Sequence, residues 1–183
     1  LSNARSQHTT AVGYASKAFG KESTVLGAMS EAHTDKTMAL GYNAKVQSGS
    51  TSSMAIGENA EVKPKSTNSI AMGPNTTVKG NYAVAIGASN TITTANTVAV
   101  GNNIKTTAEN SVFLGDNAAY VAKGTRTDGI GAVTEPVNVN GVNYSGFAGK
   151  TAVGVVSVGS DGKERRIQNV AAGLISATST DAI

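Results

Sequence analysis

Large and small apolar residues alternate over short stretches of this chain, and each stretch closes on a glycine. The run Ser66 to Val78 reads STNSIAMGPNTTV, and sixteen residues earlier Ser50 to Val62 reads STSSMAIGENAEV. Anchored on Gly13, Gly27, Gly41, Gly57, Gly73, Gly87, Gly101 and Gly115, the spacings are 14, 14, 16, 16, 14, 14 and 14. Immediately before each glycine stands a large aliphatic residue, and three before it the row runs Thr10, Thr24, Met38, Met54, Ile70, Val84, Val98, Val112. Between these rows sit Ala11, Ala39, Ala55, Ala71, Ala85 and Ala99, with Val25 and Phe113 as exceptions.

A period of two over three or four residues predicts a strand with a large face and a small face. The glycine ends the strand and lets the backbone turn. Five residues after each glycine comes a weaker row: Ala18, Ala32, Val46, Val62, Val78, Ile92, Thr106 and Tyr120. A period in the teens is too short for helical-pair repeats of about 33 residues or more. It suits coils of two short strands and two turns. Eight such coils predict an all-β parallel β-roll (solenoid) of 14–16-residue repeats, about 35–40 Å long at about 4.8 Å per coil. The two extra residues of the longer coils are expected to bulge from turns near Gly49-Ser50 and Pro64.

Of the sixteen side chains one and three before the glycines, fourteen are Val, Ile, Leu or Met, although these types make up only 37 of 183 residues. If the small face lines the roll, the large one forms a continuous outward stripe. Burying such side chains stabilises by about 1.5–3 kcal/mol each, and a soluble monomer rarely leaves so large a patch bare. The stripe is therefore expected to pack against copies of the same chain around a cyclic axis. Its members are Val12, Leu26, Met38, Leu40, Met54, Ile56, Ile70, Met72, Val84, Ile86, Val98, Val100, Val112 and Leu114. The alternative arrangement places the large row inside and the small row outside.

Composition narrows the class. With no Cys, no Trp and 4% aromatics, the chain has neither a disulfide framework nor the aromatic-rich core of a conventional globule. Fifteen basic residues face twelve acidic ones, the lysines are scattered along the chain, and no basic run with interleaved aromatics favours nucleic acid. No apolar run approaches the roughly 20 residues of a membrane span.

The stretches Asn68-Ser69-Ile70-Ala71-Met72-Gly73, Asn110-Ser111-Val112-Phe113-Leu114-Gly115 and Ala83-Val84-Ala85-Ile86-Gly87 resemble the repeat of YadA-like head domains in trimeric autotransporter adhesins. Lys163 to Gly173 (KERRIQNVAAG), followed by Ser176 to Ala182 (SATSTDA), is similar to the neck of that family, which joins head to stalk. The resemblance covers roughly residues 9–120 and the neck. It implies a homotrimer of left-handed parallel β-rolls ending in a neck. It also implies an adhesin at the bacterial cell surface, held in the outer membrane through a stalk and barrel beyond this chain. Implied partners are the host cell surface or an extracellular matrix protein such as collagen, fibronectin or laminin. Several copies lack the leading Asn-Ser, as in Lys36-Thr37-Met38-Ala39-Leu40-Gly41.

These observations divide the chain into a possible tag or leader (1–8, with 1–5 left out of the fold argument), head repeats (9–120), an insertion (121–152), and a last strand with neck (153–183). Asn140-Gly141 between alternating apolar residues predicts a hairpin in the insertion, there to contact a ligand, clasp a neighbouring subunit or act as a spacer. Val155-Val156-Ser157-Val158-Gly159 echoes the repeat. In the neck, Glu164, Arg165 and Arg166 beside Ile167 and Val170 are candidates for fixing register between subunits through ion pairs, or form a solvated charge run.

Recognisable catalytic chemistry is missing. Glu31, His33 and Asp35 alternate and could share a strand face, but no second His or Cys completes a typical metal site, and a polar turn is the expected role. There is no Gly-x-Ser-x-Gly elbow and no phosphate loop. No catalytic, cofactor or metal residue is expected. A trimeric β-helix enzyme such as an acyltransferase is the alternative function, but it would need a six-residue period and a catalytic His. An ice-binding roll would need a flat Thr ladder, which Thr91, Thr93 and Thr94 do not continue from coil to coil.

Overall fold

The computed structural model describes residues 1–124, 127–174, 176 and 178–181. Two parallel sheets face each other, and the chain alternates between them. The wider has nine strands in chain order: Thr10–Val12, Thr24–Leu26, Met38–Leu40, Met54–Ile56, Ile70–Met72, Val84–Ile86, Val98–Val100, Val112–Leu114 and Val156–Ser157. The narrower has seven: Asn3–Ala4, Lys17–Ala18, Glu31–Ala32, Lys45–Val46, Glu61–Val62, Thr77–Val78 and Thr91–Ile92. Among the described residues there is no helix.

Register follows the repeat. Ile70 lies opposite Met54 and Val84, and Ala71 opposite Ala55 and Ala85. Val78 lies opposite Val62 and Ile92. The alanine row is completely buried from Ala39 to Ala99, as is the facing row Ala18, Ala32, Val46, Val62, Val78 and Ile92. Small side chains on one wall and medium ones on the other fill a thin interior. The large row points outward, which settles the choice between the two arrangements.

The corners of the coil are built from residues whose role the pattern hid. Four before each glycine, Ser23, Thr37, Ser53, Ser69, Thr97 and Ser111 are buried. Three after it, Ser16, Ser30, Ala44, Ala60, Thr76, Asn90, Ile104 and Ala118 form a further interior row. A buried polar group is costly unless hydrogen-bonded, and here the polar members satisfy backbone groups at the turns. Ser30 Oγ donates to Gly27 O at 2.6 Å and Ser69 Oγ to Gly80 O at 2.8 Å. Asn90 Nδ2 donates to Gly101 O at 2.7 Å while its Oδ1 accepts from Ile104 N–H at 2.9 Å. Among the described residues, no buried side-chain nitrogen or oxygen lacks a partner.

The glycine column has two causes. Gly57 has φ of 123°, and a β-carbon there would lie 2.8 Å from the carbonyl carbon of Gly73 in the next coil. Each coil also holds two non-glycine residues in the left-handed region, five before and two after the glycine. Asn68, Asn96 and Asn110 occupy the first of these positions, and so do Lys36 and Tyr82, all with φ between 51° and 57°. This explains the leading Asn of the repeat, since Asn tolerates that conformation better than other side chains with a β-carbon.

In the two longer coils the turn back to the wide sheet spans residues 47–53 and 63–69, against 79–83 in an ordinary coil. The extra residues bulge there, as expected. Three other features depart from the sequence reading or extend it. Residues set aside at the start join the roll, since Asn3 and Ala4 pair with Lys17 and Ala18. Thr106, a member of the weaker row five after the glycines, is exposed whereas Ala18 to Ile92 of that row are buried, because the narrow sheet ends at Ile92 and the buried Ile104 fills the interior of that coil. The echo at Val156 is a ninth strand, pairing Val156 with Val112 and Ser157 with Phe113. The chain thus leaves the roll after its eighth glycine, makes the insertion, and returns.

Candidate interaction surface

The roll presents two outward faces of opposite chemistry. On the wide sheet, all fourteen large side chains of the predicted stripe lie on one face, in register and none buried. Val12 is 52% exposed, Leu26 47% and Leu114 41%. Ile86, Val98 and Val100 are exposed as well, and the remaining members are half-buried by their neighbours along the column. Tyr14 and Tyr42, one residue past their glycines, extend the exposed apolar area at the first coils.

The narrow sheet faces outward with charges. Glu31 accepts from Lys17 Nζ at 2.7 Å and meets His33 Nε2 at 2.8 Å. Glu61 accepts from Gln47 Nε2 at 2.6 Å and pairs with Lys63. Burial pushes the Glu31 carboxyl up, but the hydrogen bonds from Lys17 and His33 outweigh it and hold it below the ordinary value of 4.5. Glu61 behaves alike, burial being outweighed by the hydrogen bonds of Lys63 and Gln47. Asp35 does not join His33 and Glu31. Its Oδ1 accepts from the Lys21 backbone N–H at 2.7 Å. Among the described residues no group of three or more His, Asp and Glu is placed to hold a metal ion.

The insertion carries the predicted hairpin, Val137–Val139 antiparallel to Val142–Tyr144, with Asn140 at φ 50° and Gly141 at φ 84° in the turn. Its base closes through Gly131–Ala132 against Thr151–Ala152. Glu135 ties it together, accepting from Phe147 N–H at 3.0 Å and from Lys150 Nζ at 3.3 Å. Val139, Val142, Tyr144 and Phe147 are exposed.

The neck candidates Glu164, Arg165, Arg166, Ile167 and Val170 are all exposed, in non-regular chain. Arg165 turns back onto its own roll, donating to Val158 O at 2.6 Å and Asp116 O at 2.8 Å. Glu164 Oε1 accepts from Gly162 N–H at 2.9 Å. Of the neck motif, Ala177 and Ala182 lie outside the described residues.

The family description "YadA head domain repeat" matches residues 4–28, 20–44 and 65–90, which all lie within the coils of the roll. Over these residues the roll carries repeats of the YadA head type. Over 52 residues, 28% of this chain and 7% of the other protein, the head is 42% identical to autotransporter adhesin BtaE of Brucella suis biovar 1 (strain 1330). Among solved structures it is similar to the C-terminal YadA-like domain of a Burkholderia pseudomallei protein, with 40% identity and a TM-score of 0.36, covering 58% of this chain and 39% of that one. The chain therefore spans a small part of the curated adhesin and under half of the solved domain.

Proposed function

We infer that this chain is the head of a homotrimeric cell-surface adhesin. In this reading the apolar face of the wide sheet seals against two further copies, and the polar sheet is displayed outward. The head attaches the bacterium to a host cell or to a matrix protein such as collagen, fibronectin or laminin, and the outer membrane holds it through parts of the protein beyond this chain. The observation that carries the reading is the outward column of fourteen aliphatic side chains, one in each of the first two coils and a pair in each of the next six, more apolar surface than a soluble monomer leaves to water. The likeness to the YadA head repeat supports three-fold symmetry and the adhesin role.

Light scattering on the purified chain tests the assembly. The expected mass is three times that of one chain, and an Ile70→Glu/Met72→Glu variant falls to a single chain with its β spectrum retained, since neither side chain is part of the interior. A well-folded lone subunit at working concentration overturns the reading. A surface-binding screen against collagen, fibronectin, laminin and cultured cells then tests attachment, and failure on all of them rejects the matrix and host assignment.

A further inference from the structure

The outward face of the narrow sheet gathers cations that the sequence disperses. Lys17, Lys45, Lys63 and Lys79 lie on the second, fourth, fifth and sixth rungs, at the outward positions four and six residues after the glycines; Arg5 holds the matching position on the first rung, and the third carries Glu31 and His33. Two carboxylates interrupt them, and both are engaged: Glu31 by Lys17 and His33, Glu61 by Lys63 and Gln47. Among the described residues neither Lys45 nor Lys79 is in an ion pair, and the guanidinium of Arg5 rests 5.5 Å from the Phe19 ring centroid. Lys65 is exposed on the bulged turn two residues beyond Lys63. Lys45 stands in register between Glu31 and Glu61, which are already engaged by other side chains, so five cations face two carboxylates, and beyond Lys79 the face continues as uncharged Thr91 and Thr93.

Rungs rise about 4.8 Å, so Lys63 and Lys79 stand one rise apart, while Lys45 and Lys79 stand about 10 Å apart along the axis, close to the Debye length of about 8 Å at physiological salt, and act together on an extended ligand. From the first rung to the sixth the column runs about 24 Å. A flat, straight face with a surplus of cations spread along its axis is complementary to a linear polymer carrying anionic groups along its length, rather than to a compact anion.

We propose that this face is a binding track for a sulfated polysaccharide, aligned along the roll axis across the rungs of Lys45 and Lys79. Extended β-sheet carries no groove for a duplex, and the track offers no exposed aromatic platform of the kind that stacks single-stranded bases, because the Phe19 ring lies between Arg5 and His33. The proposal deepens the adhesin reading, on which it rests for the outward display of this sheet.

The test is the binding of a heparin dodecasaccharide to the full chain, measured across a salt series. The wild type is expected to bind, with affinity falling linearly on a log–log plot against salt. A Lys45→Ala/Lys79→Ala variant is expected to bind at least tenfold more weakly at physiological salt, with a slope smaller by about two. A charge-matched Lys123→Ala/Lys150→Ala variant in the insertion should bind as the wild type does. Lys45 and Lys79 project from the sheet, and unchanged melting and mass confirm that the variant is folded. The proposal is overturned if the wild type does not bind, if both variants weaken equally, or if an oligothymidylate of matched charge binds as tightly as heparin. A trimer that ignores heparin rejects the track and leaves the adhesin reading standing, whereas a folded monomer that binds heparin through Lys45 and Lys79 keeps the track and rejects that reading.

Discussion

The guanidinium of Arg165 covers Gly115: a β-carbon built on that glycine would lie 3.1 Å from the guanidinium carbon. Every earlier glycine of the column is covered by the backbone of the next coil, as Gly101 is by Gly115. At the end of the column the side chain of Arg165, from the segment that follows the last strand, takes that place and donates to the carbonyls of Asp116 and Val158. Arg165 thus closes the roll and ties the segment after its last strand to it.

Removing that closure is expected to cost stability. Hydrogen bonds from a charged donor contribute about 1.5–3 kcal/mol when sheltered, and these are exposed, so Arg165→Ala should destabilise by about 1–2 kcal/mol. Arg165→Lys restores the charge but not the fork that reaches two carbonyls, and should recover less than half. Melting at fixed protein concentration checks both. If Arg165 acted only through ion pairs between subunits, Lys would rescue most of the loss.

The left-handed positions give a prediction of opposite sign. Lys36 and Tyr82 hold φ of 57° and 53° at the site where neighbouring coils place Asn68, Asn96 and Asn110. Asn96 Nδ2 already donates to Asn110 Oδ1 at 3.1 Å. Lys36→Asn and Tyr82→Asn should each stabilise by a few tenths to about 1 kcal/mol by relieving backbone strain. Urea titration measures the gain. A loss at both sites would show that the Lys and Tyr side chains have contacts worth more than the strain.

The legibility of this molecule in its sequence depends on how each signal repeats. Gly57 and Ala71 were readable because the same residue type returns in nearly every coil and alternation alone assigns its face. The interior row through Ala44, Thr76, Asn90 and Ile104 was not, because its members share no polarity. What unites them is the corner they occupy once the coil closes. Lys36 at a left-handed position gives no signal in one dimension, since only Asn or Gly announces that conformation. Lys63 and Lys79 are sixteen residues apart in the chain and one rung apart in the sheet. Arg165 meets the carbonyl of Asp116 across 49 residues, beyond any local pattern. The stripe from Val12 to Leu114 was legible as a face, and its partner rests on the proposed assembly.

Acid should weaken the polar sheet in a defined direction. The Glu31 and Glu61 carboxyls lie below the ordinary value of 4.5 in the folded chain. A carboxyl depressed by folding adds stability that is complete above its unfolded value and is lost as pH falls through its folded value. Melting temperature should therefore be level with respect to these two groups above 4.5 and decline below it. A Glu31→Gln/Glu61→Gln variant should melt lower near neutrality and show a shallower acid decline. Both groups are partly exposed, so the difference is modest and shrinks in high salt. Parallel acid declines in the two proteins would show that other carboxylates control it.

The thin interior makes its alanines less replaceable than the large residues beside them. Ala85 is completely buried and stands in register between Ala71 and Ala99, facing a wall of Val78 and Ile92. A leucine there would have to push the two sheets apart, and overpacking of this kind costs about 1–3 kcal/mol. The same row accepts Phe113, fully buried, one rung beyond Ala99. It does so where the narrow sheet has already ended at Ile92, so no strand opposes the ring. Ala85→Leu should therefore lower the urea midpoint markedly, whereas Ala99→Val, beside that open end, should cost less than half as much. Equal penalties at the two positions would mean that sheet spacing is set by something other than the wall opposite, and that the loss of the last narrow strand is not what makes room for Phe113.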